Sequence, residues 1–537
     1  MNLPVSEAAL PTLTFTPGRW GDPDDPAVLS DGVRGALGFL GIDADAPEPV
    51  ALADVRLPAT RVDGAALAAL RDVVGADHVA VDRETRIAHL RGFSTPDLLR
   101  LRAGDGSDAP DVVVAPESQE QVADLLAVCS AHGLVLSPYA GGTSVTGGLA
   151  VDRARPAVSL DLRRMTGLIA IDEVSQTASF AAGTRLPEAE RLLSAEGFEL
   201  GHYPQSYEGA TVGGCAVTRS AGQSSSGHGR FDDMVVALTL ATPVGTAEVG
   251  TAPKSAAGPD LRQLVLGSEG AFGVVTSVTV RVHPLPVVRR FSGWRFPDFA
   301  SGSAAMRAIA QGSIRPTVIR LSDEAETGLN LANPSAAGAG AAAGGCLMVL
   351  GVEGDEDDVE TRYSYLSRRL AESGGTDLGS EPGEHWREGR FRGPYLRDPL
   401  LDAGALVETL ETVTFWSNLQ ALKDSVTDAV TGALAAQGTP AVVMCHISHV
   451  YPTGASLYFT VVAKALTEPV SQWAAAKQAA NAAIRAAGAS ITHHHAVGID
   501  HRAAYLDEIG GVQLAALQAV KRALDPEGLC NPGVLLP

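Results

Sequence analysis

The sequence predicts an α+β protein of several domains. Three observations carry that reading: a strand, capped helix, strand succession over 112–136, three glycine-rich stretches separated by strands, and a later region in which short strands and helices mix. A chain of 537 residues holds two to four domains at roughly 150 residues each, and a composition 45% hydrophobic against 19% charged supplies their cores.

Residues 1–108 are rich in Pro, Asp and Ala, carry short helical patterns such as Ala65 to Val74, and end in the turn-prone run Gly104-Asp105-Gly106-Ser107-Asp108-Ala109-Pro110. They read as an N-terminal lead segment. From Asp111 the texture changes. Val112-Val113-Val114 reads as a short buried strand, Pro116-Glu117-Ser118 as a turn and helix start, Gln121 to Ala131 as a helix by its apolar spacing, and Leu134-Val135-Leu136 as a second strand. This βαβ unit opens a domain over 109–286.

Glycine gathers directly after that second strand, in Tyr139-Ala140-Gly141-Gly142-Thr143-Ser144-Val145-Thr146-Gly147-Gly148. Such a cluster lets backbone N–H groups turn inward on an anion, as a pyrophosphate requires; the plain alternative is a tight surface loop. Two further stretches follow, Ala210-Thr211-Val212-Gly213-Gly214-Cys215 and Gly267-Ser268-Glu269-Gly270-Ala271-Phe272-Gly273-Val274-Val275. Between them a polar turn at Phe231-Asp232-Asp233 feeds an apolar strand, and Thr276 to Val282 alternates as a strand before His283-Pro284. Three such segments suit one long ligand held at several places.

A second domain is expected over 287–490, with strands at Trp294-Arg295-Phe296 and Pro316 to Leu321 and a helix from Phe299 to Ile309. Within it Pro334 to Gly345 is almost pure Ala, Gly and Ser, a composition that suits a mobile loop. Residues 491–537 bring His493-His494-His495, an amphipathic helix from Ala503 to Leu524 and the terminator Asp525-Pro526 through Asn531-Pro532-Gly533.

Acidic residues outnumber basic ones by 62 to 41, a net charge of −21. A field of that sign repels phosphate backbones and argues against nucleic-acid binding, while an anionic small substrate needs its own arginines. The five cysteines are scattered without a Cys-x-x-Cys pair and read as buried thiols in a reducing compartment. Met1 to Thr14 lacks the pattern of a signal peptide, no run of about 18 apolar residues occurs, and the final Val534-Leu535-Leu536-Pro537 is not a peroxisomal address. A cytoplasmic location is expected.

Together, Pro110 to Pro116, Gly141 to Ser144, Gly213-Gly214, Gly267 to Gly270 with Gly273-Val274-Val275, and the ending Asn531-Pro532-Gly533 resemble FAD-linked oxidases of the vanillyl-alcohol oxidase type. Within that superfamily the chain is most similar to the alkylglycerone-phosphate synthase family. The matching stretches are Arg19-Trp20-Gly21, Gly201-His202-Tyr203, Ile319 to Asp323, Pro394 to Asp398, Leu406 to Thr412, Trp416 to Leu419, Ile447 to Tyr451, Leu457-Tyr458-Phe459 and His493 to His495. The sequence departs from the family at Tyr203-Pro204-Gln205-Ser206 and at Ser224-Ser225-Ser226-Gly227, and it lacks the family's targeting signals.

The resemblance implies an FAD-binding PCMH-type domain of two α/β subdomains, a cap with an antiparallel sheet flanked by helices, and a C-terminal segment returning to the FAD domain and active site. It implies FAD held non-covalently. The residues carried over are Pro138, Tyr139, Ala140, Gly141, Gly142, Thr143 and Ser144, then Thr211, Gly213, Gly214, Thr218, Ser220 and Gly227, then Glu269, Gly270, Gly273, Val274 and Val275. Glycine amides and hydroxyls neutralise a pyrophosphate without importing basic charge, so an acidic protein can bind it.

By the same resemblance His202, His493, His494 and His495 line the active site, Tyr458 is a general acid/base, Arg397 clamps a phosphate or carboxylate, and Arg320 shares its pocket. The plain readings are a surface histidine run, an aromatic core residue and solvated ion pairs. A strand would put His493 and His495 on one face and His494 on the other. A metal site would need a third ligand, and no Glu or Cys stands nearby at zinc-like spacing, so none is expected. Tyr458 in its role needs a lowered pKa, expected from neighbouring imidazoles and arginine.

The implied reaction exchanges the acyl group of an acyl dihydroxyacetone phosphate for a long-chain alcohol, forming an ether bond through capture of the substrate carbon at flavin N5. The alternative is an FAD-dependent 2-hydroxy-acid dehydrogenase of D-lactate type, and a third reading is a flavin-binding module without turnover. The first requires a hydrophobic tunnel in the cap. The resemblance also implies a homodimer and peripheral membrane contact, to which no basic amphipathic helix adds support.

Overall fold

A computed structural model describes residues 16–21, 27–43, 45–329 and 344–537. The Ala/Gly/Ser run expected as a loop falls, up to residue 343, outside the described residues, as does the stretch from Met1 to Thr14.

The first sheet holds Val79–Ala80 (β1), Val112–Val114 (β2), Val135–Tyr139 (β3) and Ala157–Asp161 (β4) in the order β1-β2-β4-β3. β2 and β3 both run parallel to β4. The connection from β2 to β3 is the helix Gln119–His132, which starts where Ser118 Oγ accepts the Gln121 N–H and stops at the left-handed Gly133. This sheet reaches back past residue 108. β1 pairs with β2, and the helix Gly64–Val74 buries Ala66 and Leu70 against Val122 and Leu125 of the βαβ helix. A two-residue strand carries too little pattern to be read locally.

The second sheet holds Leu168–Asp172 (β5), Thr177–Ala181 (β6), Val235–Thr242 (β7), Gly245–Val249 (β8) and Val274–Arg281 (β9), ordered β5-β6-β9-β7-β8 and antiparallel throughout. Beside it a two-residue ribbon pairs Phe198–Glu199 with His283–Pro284.

The cap is a seven-stranded antiparallel sheet: Val288–Phe296 (β10), Val318–Ser322 (β11), Cys346–Gly354 (β12), Thr376–Asp377 (β13), Ala405–Phe415 (β14), Ala441–Ile447 (β15) and Gly454–Lys464 (β16), in the order β13-β10-β12-β11-β15-β16-β14. β14 and β16 pair from Ala405↔Lys464 to Phe415↔Gly454. Helices Leu419–Ala435 and Pro469–Ala486 bury Leu422, Val426, Val430, Trp473 and Ala480 against this sheet in the largest core. The expected C-terminal helix spans Arg502–Leu524 but is interrupted at Gly510, where φ is +68°. After it the chain runs beside the first sheet, with Cys530 bridging to Leu136 of β3.

Candidate functional site

A cavity of about 660 Å³ lies between the glycine-rich segments of the first two sheets and the cap. Pro138, Tyr139, Ala140, Gly141, Gly142, Thr143 and Ser144 form one wall, Thr211, Gly213, Gly214, Thr218 and Ser220 a second, and Glu269, Gly270, Gly273 and Val275 a third. The loop after β3 is built for close approach. Gly142 sits at φ +69°, and a Cβ there would lie 2.5 Å from the Tyr139 hydroxyl; a Cβ on Gly141 would lie 2.2 Å from the Gly209 carbonyl. Ser144 Oγ accepts the Gly148 N–H at 2.9 Å and fixes the turn. Side-chain-free backbone with hydroxyls on three walls fits a dinucleotide-sized anion such as FAD.

Gly227 and Val274 do not line this cavity. Gly227 packs on the cap and donates its N–H to Thr317 at 3.2 Å, and Val274 is fully buried in the core of the first sheet. Glu269 is buried in a left-handed conformation, φ +51°, and accepts the N–H groups of Val497 and Gly498 at 2.8 Å each. Burial pushes its carboxyl up to about 7, against those two bonds. Asn531 donates to the Glu269 carbonyl at 2.6 Å and accepts from Ser137 at 2.8 Å, so the C-terminal segment closes the glycine walls.

Opposite these walls, residues 493–495 are not a strand. They wrap a buried carboxylate: Glu411 accepts the backbone N–H groups of His493, His494 and His495 at 2.6, 3.0 and 2.9 Å and the Thr492 hydroxyl at 2.6 Å. The alternating-face expectation therefore fails. His494 and His495 face the cavity, while His493 turns to the Tyr451 hydroxyl at 2.6 Å and to His494 Nδ1 at 2.9 Å. Burial raises the Glu411 carboxyl, but the imidazoles of His494, His495 and His493 outweigh it and hold the group well below the usual range. Burial also lowers the three imidazoles, His495 to about 3, against the opposing pull of the Glu411 carboxylate.

Tyr458 on β16 stands directly across from Glu411 on β14. Its ring stacks on His446 at 4.7 Å and meets His495 edge-on at 5.5 Å. The expected lowering of its pKa is overturned: burial pushes the phenol up to about 12, because its surroundings desolvate it and the buried Glu408 and Glu411 disfavour an anion. His202 is buried behind the wall, with Nε2 3.0 Å from Ser220 Oγ, and does not line the cavity.

Arg397 and Arg320 both line the cavity. Arg320 is committed to Glu326 at 2.6 Å and to His446 Nδ1 at 2.9 Å. Arg397 donates to the Phe93 carbonyl and keeps its buried Nε without a partner. Its helix, Gly393–Asp402, is pinned from the lead segment: Trp20 N–H and Arg102 bind Asp398 at 2.7 and 3.3 Å, and Arg19 and Arg102 bind Asp402 at 2.9 and 2.5 Å. Beyond Arg397 the cavity becomes an apolar arm lined by Trp20, Leu37, Leu400, Val407, Met444 and Val462.

Four residues escaped the reading of the sequence: Glu408, Glu411, His446 and His449. Glu411 and His449 lie in stretches that carried the family likeness, but a carboxylate in an apolar strand gives no local sign of what it faces. His449 binds Ser225 Oγ through Nδ1 at 2.6 Å and stacks on His493. With His493 and His494 it brings three ring nitrogens within 4.8 Å of one another, the third ligand that spacing alone lacked.

Residues 110–250 match a family model described as FAD binding domain, and residues 285–535 match FAD linked oxidases, C-terminal domain. An alkyldihydroxyacetonephosphate synthase of Dictyostelium discoideum is 33% identical over 86% of this chain and 79% of its own. A solved alkyldihydroxyacetonephosphate synthase structure superposes with a TM-score of 0.80 at 29% identity, covering 96% of this chain and 94% of the other. A mitochondrial cytochrome-linked D-lactate dehydrogenase of Arabidopsis thaliana is 29% identical over only 42% of this chain and 39% of its own.

Proposed function

Because the chain belongs to the alkyldihydroxyacetonephosphate synthase family, we propose that it is an FAD-dependent enzyme replacing the acyl group of an acyl dihydroxyacetone phosphate with a long-chain alcohol and releasing the fatty acid. The observation that carries this reading is the continuity of three regions in one cavity: the glycine walls, the histidine and tyrosine face, and the apolar arm past Arg397. A 2-hydroxy acid has no chain to fill that arm.

Bound FAD supplies an electrophilic centre at the flavin ring. The remaining work falls to the chain. Arg397, which lines the cavity, suits the substrate phosphate, and the guanidinium fork can give paired charge-assisted bonds. The apolar arm takes the alkyl chain and excludes water from it. Tyr458 keeps its proton at neutral pH and therefore serves as a donor to a substrate oxygen. The proton leaving the substrate carbon goes to the imidazole of His494, and the Glu411 carboxylate, with Oε2 3.7 Å from His494 Nδ1, stabilises the imidazolium.

A homodimer and peripheral membrane contact are part of the same proposal. The support for the second is the helix Asp31–Phe39, which lines the apolar arm yet leaves Phe39 93% exposed. No helix among the described residues is long and apolar enough to cross a membrane.

The test is incorporation of labelled hexadecanol into alkyl dihydroxyacetone phosphate by the FAD-loaded protein. Product formation is expected. Absence of product, together with anaerobic bleaching of the flavin by D-lactate, would replace the synthase reading with the dehydrogenase.

A further inference from the structure

Away from the cavity, the joint between the flavin-binding part and the cap buries a second group of metal-competent side chains. Glu199 lies on the ribbon strand paired with His283, His228 ends the helix Ser225–His228, and Glu353 comes from cap strand β12. Glu199 and Glu353 are 3% and 8% exposed. One ligand atom from each of Glu199, His228 and Glu353 lies within 4.8 Å of the others, and His228 Nε2 is 4.0 Å from Glu199 Oε1.

Ordinary ion pairing leaves this group incomplete. Arg289 reaches Glu199 at 3.1 Å and Glu353 at 3.4 Å, so one guanidinium stands between two buried carboxylates. Glu353 Oε2 and His228 Nε2 remain buried without a hydrogen-bond partner. An unpartnered buried carboxylate oxygen is costly and calls for a cation or a proton.

The supporting backbone is fixed as a cradle would be. The carbonyl of His228 accepts from Arg281 and that of Glu353 from Arg362, both at 2.6 Å, and the Glu353 N–H donates to Thr317 Oγ1 at 3.0 Å. The His228 ring packs against that of His283, centroids 4.1 Å apart and planes tilted by 33°. Gly201, at φ +71°, leaves open the space beside the His228 ring edge; a Cβ there would lie 2.8 Å from Cδ2 and 3.1 Å from Nε2.

We propose that Glu199, His228 and Glu353 bind a divalent ion of the zinc class and so clasp the cap to the flavin-binding part. One imidazole and two carboxylates form a donor set suited to zinc, with water completing the shell. Ligands bonded at about 2.0–2.1 Å stand roughly 3.3 Å apart in a tetrahedral shell, so closing onto an ion needs side-chain shifts of about 1 Å. The second histidine group, His449, His493 and His494, belongs to the cavity already described, and four of its six ring nitrogens are engaged with Ser225, Tyr451 and one another.

The test uses the FAD-loaded full chain, stripped with a chelator and titrated with Zn²⁺ and, as a coloured probe, Co²⁺. Uptake of one equivalent is expected, with Co²⁺ absorption to the red of the flavin bands. Glu353→Gln and His228→Gln are each expected to weaken Zn²⁺ binding more than about tenfold while retaining flavin, and His449→Gln to leave it unchanged. Zn²⁺ should raise the melting temperature of the wild type but not of Glu353→Gln. Failure of the wild-type protein to take up stoichiometric Zn²⁺, or uptake lost in His449→Gln and kept in His228→Gln, overturns the proposal. None of these readouts depends on turnover.

Discussion

Tyr458 and Arg397 show how one side chain's surroundings decide its use. A phenol pushed to about 12 cannot idle as a base at neutral pH, so its value lies in the proton it holds. Tyr458→Phe keeps the ring stack on His446 and removes only the hydroxyl that carries that proton; exchange of labelled alcohol should fall about 10²- to 10⁴-fold with flavin content unchanged. Arg397→Lys keeps the charge but loses the fork, and the KM for the phosphorylated substrate should rise about tenfold, the equivalent of one charge-assisted bond, with kcat far less affected. Arg397 was singled out because Pro394 to Asp398 matches the family, and it stands on the cavity wall. Glu411 was not, because its meaning rests on three backbone N–H groups from residues 493–495, which a register of strands and loops supplies and no local spacing does.

At the scale of elements, the segments with strong local chemistry were readable and those defined by distant partners were not. Ser118 before an apolar-periodic run and Gly133 after it mark the helix Gln119–His132, and the glycines after β3 mark the tight loop. The two-residue β1, and the histidine run that resembles a strand yet wraps a carboxylate, depend on pairing across the fold. The loop after β3 gives the sharpest test at this scale. Gly142→Ala introduces a Cβ 2.5 Å from the Tyr139 hydroxyl at a φ that L residues rarely adopt, so the purified variant should carry far less FAD, read from the flavin-to-protein absorbance ratio, while its far-ultraviolet dichroism stays that of the wild type.

Over the whole molecule, many imidazoles are buried in neutral form, and this sets how stability responds to acid. His202, His495 and His501 are each lowered to about 3 by burial. Between that value and the ordinary 6.5 the unfolded chain binds protons that the folded chain refuses, so this stability is complete above about 6.5 and is lost as pH falls through that window. Among the described residues eight carboxyls act in the opposite sense, Asp97, Glu190, Glu199 and Glu269 raised to about 6, 7, 8 and 7 and Asp108, Asp323, Glu408 and Asp500 also raised, but nine lowered imidazoles outnumber them. The melting temperature of the FAD-loaded protein should therefore drop between pH 7 and pH 5, as followed by tryptophan fluorescence. The closing contact from Ser137 to Asn531, which spans 394 residues, bears on how the molecule is made. During translation the glycine loop leaves the ribosome long before the segment that seals it, and the whole cap must be synthesised in between. Coenzyme capture is thus a late event in the life of the nascent chain, and a cell short of flavin would accumulate finished, empty protein rather than arrested fragments.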